Sequence, residues 1–404
     1  MKEAARYLIL SFAILVVIAV LVMWKKQDRE QAFAELRERY EADISIVEDD
    51  FAVGCSSARL VDLVDFADLL ARAGEPTILD LTGAPNLESF SGIEKLLTVH
   101  SLIAIDCPKL TSAEGVAKHP ALRELVLTDS RQFADASAIQ GLPALETIDF
   151  SGCEALENID VSGLPKLRNL YLSRCREVKS LDVTSAPALK QLYLDGCSGL
   201  ASLTGLDVLT ELTDLDVSNA SALKDLENIE SLSSLIVLDI RNIAISDFAG
   251  IGKLPALRVL RMGGNESIEN LEPFSGMEQL REIHLEACPN FSSLQGIPSG
   301  LTQYAGFTYC PKLTSLEGIE NAPDLEQLDL TGSEALKDVS SLKELNQLVQ
   351  LSLVKCRQVS DVSAIESMEK LVIVMLGGSG VVPAAVEKLK TVNEEIIFDF
   401  TVSG

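Results

Sequence analysis

Eight cysteines are the residues of this sequence best suited to chemistry, because a thiolate can bind a metal, form a disulfide or act as a nucleophile. The hexapeptide Cys107–Ser112 (CPKLTS) recurs unchanged at Cys310–Ser315. A metal site, a redox pair and an internal repeat each explain such a recurrence. Metal-binding motifs usually place cysteines in close pairs such as C-x-x-C. Here the nearest cysteines are 22 residues apart, as between Cys175 and Cys197, so the sequence contains no such motif.

Other catalytic signatures are also missing from the sequence. The three histidines, His100, His119 and His284, are scattered, and there is no H-E-x-x-H, P-loop, G-x-S-x-G or dinucleotide fingerprint. Acidic pairs are frequent, as expected on the solvated face of an acidic chain. The sequence therefore predicts a protein that is not an enzyme and has no cofactor and no metal.

The net charge of the chain argues against one class of partner, nucleic acids. The 404 residues include 60 acidic and 34 basic side chains, which gives a formal net charge of -26. Nucleic-acid binding needs clustered lysines and arginines, so we do not expect a nucleic-acid partner. A basic protein surface would be attracted, mainly through a faster association rate.

The cysteines mark an internal repeat of 22 to 23 residues. If the cysteine is taken as the zero position, apolar residues fall eight, five and three residues before it and three and six after it. In fourteen units this register holds, and seven of the eight cysteines occupy the zero position. Ala and Ser occupy it elsewhere, so neither a thiolate nor a disulfide is required there. The zero positions are Ala84, Cys107, Ser130, Cys153, Cys175, Cys197, Ala220, Ile243, Asn265, Cys288, Cys310, Ser333, Cys356 and Ser379.

The pattern L-x-x-L-x-L-x-x-(N/C)-x-x-L resembles the leucine-rich repeat family, in its short internalin-like or phosphatase-regulator-like class. The resemblance implies an α/β solenoid, a horseshoe or arc with parallel strands on the concave face and 3₁₀ or irregular convex segments. The residues agree, because L-x-L alternates as a short strand must and one repeat cannot bury its own apolar face. Stacking would place Cys153 and Cys175 about one strand spacing apart, close enough for a disulfide in principle.

Two repeats depart from the pattern. After Ile243 the apolar residues come one place early, at Ile245 and Phe248, and before Cys310 the pattern is shifted. Local irregularity is one explanation, and a bulge at a binding site is the other.

The start of the chain predicts a membrane anchor. The 18 residues Tyr7–Trp24 carry no charge and as a helix would span about 27 Å, close to the thickness of a bilayer core. The segment ends in Trp24-Lys25-Lys26 without a small-residue cleavage site, which argues against a signal peptide. We expect a single-pass anchor, with the repeats on the periplasmic or extracellular side and the cytoplasmic side as the alternative.

Five segments are predicted in all. Residues 57–74 read as an amphipathic helix that caps the apolar core, with Ser57 at its start and Gly74 at its end. The segments are a short flank (1–6), a transmembrane helix (7–24), a charged stalk (25–50), an N-terminal helical cap (51–76) and the repeat solenoid (77–404).

Residues six, four and two places before each zero position should point outward, and we call these the outward positions. In the middle of the array they carry two tyrosines, an acidic ladder and then basic residues, and Tyr and Arg commonly anchor interfaces. The sequence thus predicts a membrane-anchored recognition or scaffold protein that binds a protein or peptide on its concave face. The alternatives are a structural or self-associating envelope spacer without a discrete ligand and a redox or metal role for the cysteines. The predicted binding residues are Tyr171, Tyr193, Asp195, Asp216, Asp239, Arg241, Arg261, His284 and Glu286.

Overall fold

The structure is a computed structural model that describes residues 22–47, 50–61, 63–392 and 396–401. The predicted flank and nearly all of the predicted transmembrane segment lie outside these residues. Among the residues that are described, no helix is long and apolar enough to cross a membrane. The last predicted span residue, Trp24, lies near the start of helix α1 (22–40) and is 63% exposed.

Two compact units divide the chain, Met1–Leu167 and Arg168–Gly404. The first unit contains α1, helix α2 and strands β1 to β6. Strands β1 and β2 form an antiparallel hairpin, and β2 to β6 then pair in parallel, each with the next. The elements are β1 Asp43–Val47, β2 Asp50–Gly54, α2 Val64–Ala73, β3 Ile78–Asp80, β4 Ser101–Ile103, β5 Glu124–Val126 and β6 Thr147–Asp149.

Helix α1 packs against the cap, a contact that the predicted stalk did not include. Its residue Tyr40 meets Phe66 of α2 edge-on, with ring centroids 4.9 Å apart, and Phe33 meets Phe51 of β2 at 5.7 Å. The Arg72 guanidinium lies 2.8 Å from the Asp28 carboxylate. Although α1 is highly charged, one apolar stripe therefore joins it to the cap. The division into flank, span, stalk, cap and array stays a prediction.

The cap helix α2 is shorter than predicted. It begins at Val64 rather than Ser57, because the N–H of Leu63 bonds the carbonyl of Ser91 (2.8 Å) and Ser57 Oγ instead accepts from the N–H of Arg59. Gly74 ends the helix as predicted, with φ of 119° and its N–H bonded to the Leu70 carbonyl.

The second unit continues the same architecture. Strands β7, β9 and β11 to β19 pair in parallel in that order, while β8 and β10 form a separate parallel pair. Short 3₁₀ helices follow most strands, and helix α3 was not predicted. The elements are β7 Asn169–Tyr171, β8 Ser180–Asp182, β9 Gln191–Tyr193, β10 Ser202–Thr204, β11 Asp214–Asp216, β12 Val237–Asp239, β13 Val259–Gly263, β14 Glu282–Glu286, β15 Tyr304–Thr308, β16 Gln327–Asp329, β17 Gln350–Ser352, β18 Ile373–Met375, α3 Pro383–Val392 and β19 Ile397–Asp399.

Most three-residue strands follow the predicted alternation, whereas β12 and β17 also bury an outward residue and β19 leaves its central Phe398 half-buried. In β9, for example, Leu192 is fully buried while Gln191 and Tyr193 are half-buried on the other face. The inward leucines of successive strands stack into one apolar layer within each unit, which is the core. We call the side that carries the outward positions the strand face.

Neither irregular repeat disturbs the sheet. Strand β12 pairs in register on both sides, so the early Ile245 and Phe248 belong to the segment after the strand. Before Cys310, Ala305 and Phe307 take the inward positions normally, and only Leu301 is displaced by one residue. The irregularity therefore lies in the connections, after β12 and before β15, and neither of these two strands contains a bulge.

Candidate functional site

The strand face of the second unit brings six of the nine predicted residues into one line. The registered pairs are Tyr171 with Tyr193, Tyr193 with Asp216, Asp216 with Asp239, Asp239 with Arg261, and Arg261 with His284. We call these six residues the central column. Asp195 and Arg241 each lie two residues beyond the end of a strand, after Tyr193 of β9 and Asp239 of β12, and Glu286 is the last residue of β14. Because adjacent strands are about 4.8 Å apart, the column is roughly 24 Å long.

The two tyrosines form one end of the column. The rings of Tyr171 and Tyr193 pack with centroids 5.3 Å apart and planes inclined by 39°. The hydroxyl of Tyr171 donates to Gln191 Oε1, which fixes its ring. Burial, together with the carboxylate of Asp214, raises the pKa of Tyr193, so this hydroxyl stays protonated and can donate. The pair offers a rigid amphipathic surface.

The next part of the strand face is acidic. Asp195 accepts hydrogen bonds from Ser218 Oγ (2.9 Å) and Asn219 Nδ2 (2.7 Å). Asp216 accepts from the backbone N–H of Ser218 (2.9 Å). Burial raises the pKa of Asp216, the bonds from Ser218 partly oppose this, and the carboxylates of Asp239 and Asp195 add to the rise. A cation that arrived here would be stabilised.

Asp239 is more buried than its outward position predicts. Its side chain is only 5% exposed, and its carboxylate receives Arg241 Nε (2.9 Å) and Nη2 (2.7 Å) as a bidentate pair. Arg241 follows two residues after Asp239, the last residue of β12, and its side chain folds back over that carboxylate. These two predicted binding residues thus neutralise one another.

An aromatic stack that the prediction missed lies at the other end of the column. The ring of Tyr304 stacks on His284 with centroids 4.4 Å apart and planes inclined by 23°. Gly306 makes room, because a Cβ there would lie 2.7 Å from the Tyr304 ring. Burial, together with Asp329, raises the pKa of Tyr304 to about 12. Tyr304 is six residues before Cys310, an outward position, so the register already pointed to it.

His284 is held in its place by neighbours on both sides. Its Nε2 lies 3.3 Å from Glu282 Oε2. Burial lowers the pKa of His284, the bond with Glu282 opposes this, and Arg261 lowers it further. Because the ring is held neutral at pH 7, Arg261 is the cation at this end of the central column.

A small cavity opens between the tyrosines and Arg261. Its volume is about 50 Å³. Its walls come from four neighbouring strands and combine one ring, three carboxylates and one guanidinium. The lining residues are Tyr193, Asp214, Leu215, Asp216, Val237, Asp239 and Arg261.

The burial and the hydrogen bonds of the cysteine side chains suit a structural role. All eight are buried thiols outside any disulfide. At the zero position, Cys197 Sγ donates to the Leu172 carbonyl of the preceding repeat (3.0 Å), and Ser130 Oγ donates equivalently to Ala104 (2.9 Å). Burial raises the pKa of Cys197 to about 12, well above that of a reactive thiol. Within the part of the chain that the structure describes, no group of three or more potential metal ligands occurs.

Comparison with known proteins gives the fold. No family model and no curated protein matches the chain. Among solved structures, an internalin (inlF) from Listeria monocytogenes is 19% identical, covers 81% of this chain and 87% of its own, and has a TM-score of 0.54. The functional domain of InlJ from the same species, described as including a cysteine ladder, covers 76% of this chain and 74% of its own at 19% identity (TM-score 0.45). The protein LIC12759 from Leptospira interrogans covers 82% and 92% at 16% identity (TM-score 0.45). With its ladder of parallel strands, the chain has the leucine-rich repeat fold.

Proposed function

We propose that this protein is a membrane-anchored recognition or scaffold protein that binds a protein or peptide partner on its strand face. The central column carries the proposal, since it lines up aromatic and charged side chains in register across six strands. Tyrosine and arginine contribute strongly to binding energy at protein interfaces. An array of stacked repeats also offers an extended, rigid surface on which many side chains can act together.

The partner in this proposal carries a basic surface. The net charge of -26 and the carboxylates around the column attract such a surface and repel an acidic one. The effect acts mainly on the association rate and weakens as salt increases. We therefore expect association to slow between 50 mM and 500 mM NaCl, with a smaller change in the dissociation rate.

Affinity capture with matched variants tests the strand face. The wild-type chain, Tyr171→Ala/Tyr193→Ala and a control, Asp225→Asn/Glu227→Gln, are tagged and captured from the native cells, with quantitative mass spectrometry of the co-purified proteins. The control residues are exposed and lie outside the strand face. The proposal expects a protein that the tyrosine variant loses and the control retains, and this protein should bind the purified chain directly. If every co-purified protein is unchanged by the tyrosine variant, the strand face is not the site.

Membrane attachment rests on the sequence of residues 7–24, and we place the repeats on the periplasmic or extracellular side. Protease added to intact cells and to spheroplasts tests both points. We expect protease to digest the array in spheroplasts, whose inner membrane is intact. The fragment of residues 1–24 should remain in the membrane fraction. Release of the whole chain by a salt wash would contradict the anchor, and protection in spheroplasts would place the array in the cytoplasm.

One observation favours a self-associating spacer as a second function. In the last strand, β19, Ile397 is 59% exposed, and the nearby Phe400 is 45% exposed. Exposed apolar groups at a sheet edge favour pairing with another chain. Under this alternative Ile397→Asp turns an oligomer into a monomer in light scattering, whereas an unchanged mass would remove the support.

A further inference from the structure

The cavity in the central column has the composition of a site for one cationic head group. Its volume of about 50 Å³ leaves room for one small polar group. Asp214 and Asp216 stand on one strand, two residues apart and both on the strand face. The ring of Tyr193 forms the adjacent wall, and its position in register with Asp216 places aromatic surface beside the carboxylates.

The carboxylates of this cavity are not equivalent. Asp239 is already neutralised by the bidentate pair with Arg241. Asp216 accepts from the backbone N–H of Ser218, and Asp214 accepts from Thr213 Oγ1 (2.7 Å). Each carboxylate has two oxygens and can accept further hydrogen bonds. The acidic charge that an incoming group meets is therefore that of Asp214 and Asp216.

On the basis of the proposed function, we infer that this cavity binds a single arginine side chain of the partner. The cation lies against the Tyr193 ring and donates to Asp214 and Asp216, an arrangement that combines charge-assisted hydrogen bonds with a cation–π contact. Arg261 closes the far side and repels a second cation. The partner segment thus presents one basic anchor rather than a basic run.

The test uses a display library of random linear 12-residue peptides panned on the full-length chain in detergent. The strongest binders are then synthesised with each arginine replaced in turn by citrulline, which keeps the shape and removes the charge. Fluorescence anisotropy gives the affinity for the wild type, for Asp214→Asn/Asp216→Asn, and for Asp225→Asn/Glu227→Gln, which loses the same charge outside the strand face. Asn keeps the size of Asp and an acceptor oxygen, and thermal melting checks that each variant folds.

We expect one arginine in each peptide whose replacement by citrulline weakens binding roughly tenfold or more on the wild-type chain, the range of a well-formed charge pair. The same replacement should have little further effect on Asp214→Asn/Asp216→Asn, and the control variant should bind like the wild type. Arg261→Ser should strengthen binding, about threefold, because it removes a like charge.

Other outcomes overturn the inference in distinguishable ways. In one outcome, Tyr171→Ala/Tyr193→Ala weakens peptide binding, but binding depends neither on the aspartates nor on any single basic residue of the peptide. This result would leave the proposed function standing and rule out the cation site. If peptide affinity falls equally on Asp214→Asn/Asp216→Asn and on Asp225→Asn/Glu227→Gln, the effect comes from net charge and not from the cavity. Binding that no strand-face substitution alters would contradict the cation site and the proposed function together.

Discussion

Removal of the Arg241 side chain should destabilise the second unit by about 1–3 kcal/mol. Arg241 makes three side-chain contacts of 2.7–3.0 Å with Asp239, whose own side chain is only 5% exposed. Breaking a fully buried pair by deleting one partner costs about 3–5 kcal/mol, whereas a surface pair is worth about 0–1 kcal/mol. Because the Arg241 side chain is 44% exposed, water can reach part of the site, and the expected cost falls between the two ranges.

Hydrogen exchange measured by mass spectrometry suits this prediction, because repeat arrays open locally as well as globally. Arg241→Ala should speed exchange in β11, β12 and β13, while amides of the first unit keep their rates. The control is Asp239→Ala/Arg241→Ala, which removes both charges and so leaves no buried carboxylate unpaired. Its exchange in the same strands should be closer to that of the wild type.

Two results would refute this reasoning. If Arg241→Ala changes exchange by less than about 0.5 kcal/mol, water already solvates Asp239 and the pair contributes little. If the double variant is destabilised by the sum of the two single variants, the residues act independently and the bidentate contact does not couple them.

Three further predictions concern other parts of the chain. The eight buried thiols should resist iodoacetamide at pH 8 in the native protein and react fully in urea, and fast native labelling or a metal in the native mass would contradict the structural role given to Cys197 and its equivalents. Burial lowers the pKa of His119 below the ordinary 6.5, and its Nε2 lies 2.8 Å from the Leu96 carbonyl while its Nδ1 accepts from Leu122 N–H. The unfolded chain therefore takes up this proton first, so His119 lowers the free energy of unfolding by at most about 1.4 kcal/mol per pH unit below pH 6.5 and has no effect above it. In urea unfolding, His119→Gln should lose less stability than the wild type below this pH, with a remaining loss from His284, whose pKa burial also lowers, and an equal pH dependence of the two proteins would contradict the assignment. Gly306→Ala should push the Tyr304 ring off its stack with little loss of stability, because the end of a side chain can move; a crystal structure with the ring in place would contradict this close approach.

The register of the sheet was predictable because the repeat is short and strictly periodic. Once Cys107 and Cys310 set the zero position, most inward leucines and most outward residues followed from the two-residue period of a strand. The same register placed Tyr171, Tyr193 and Asp216 in one column before any coordinates. It also points to Tyr304, although the displaced Leu301 obscures the pattern in that repeat.

The contacts between outward side chains were not predictable from the register. The pairing of Asp239 with Arg241 depends on how the Arg241 side chain folds back over the end of β12. The stack of Tyr304 on His284 depends on the space above Gly306. Helix α1 was predicted as a stalk because its charged residues outnumber its apolar ones. Its few apolar residues nevertheless share one face, and Leu36 is fully buried. Such contacts depend on three-dimensional neighbours that a single sequence does not list.

Site-specific photo-crosslinking in intact cells tests the central claim most directly. A benzophenone amino acid replaces Val259, on the strand face beside the central column, in one strain and the exposed Lys343, outside the strand face, in another. Ultraviolet light should then crosslink the chain altered at Val259, and not the chain altered at Lys343, to one discrete protein that mass spectrometry identifies. No adduct at position 259, or the same adducts from both positions, would contradict recognition through the strand face.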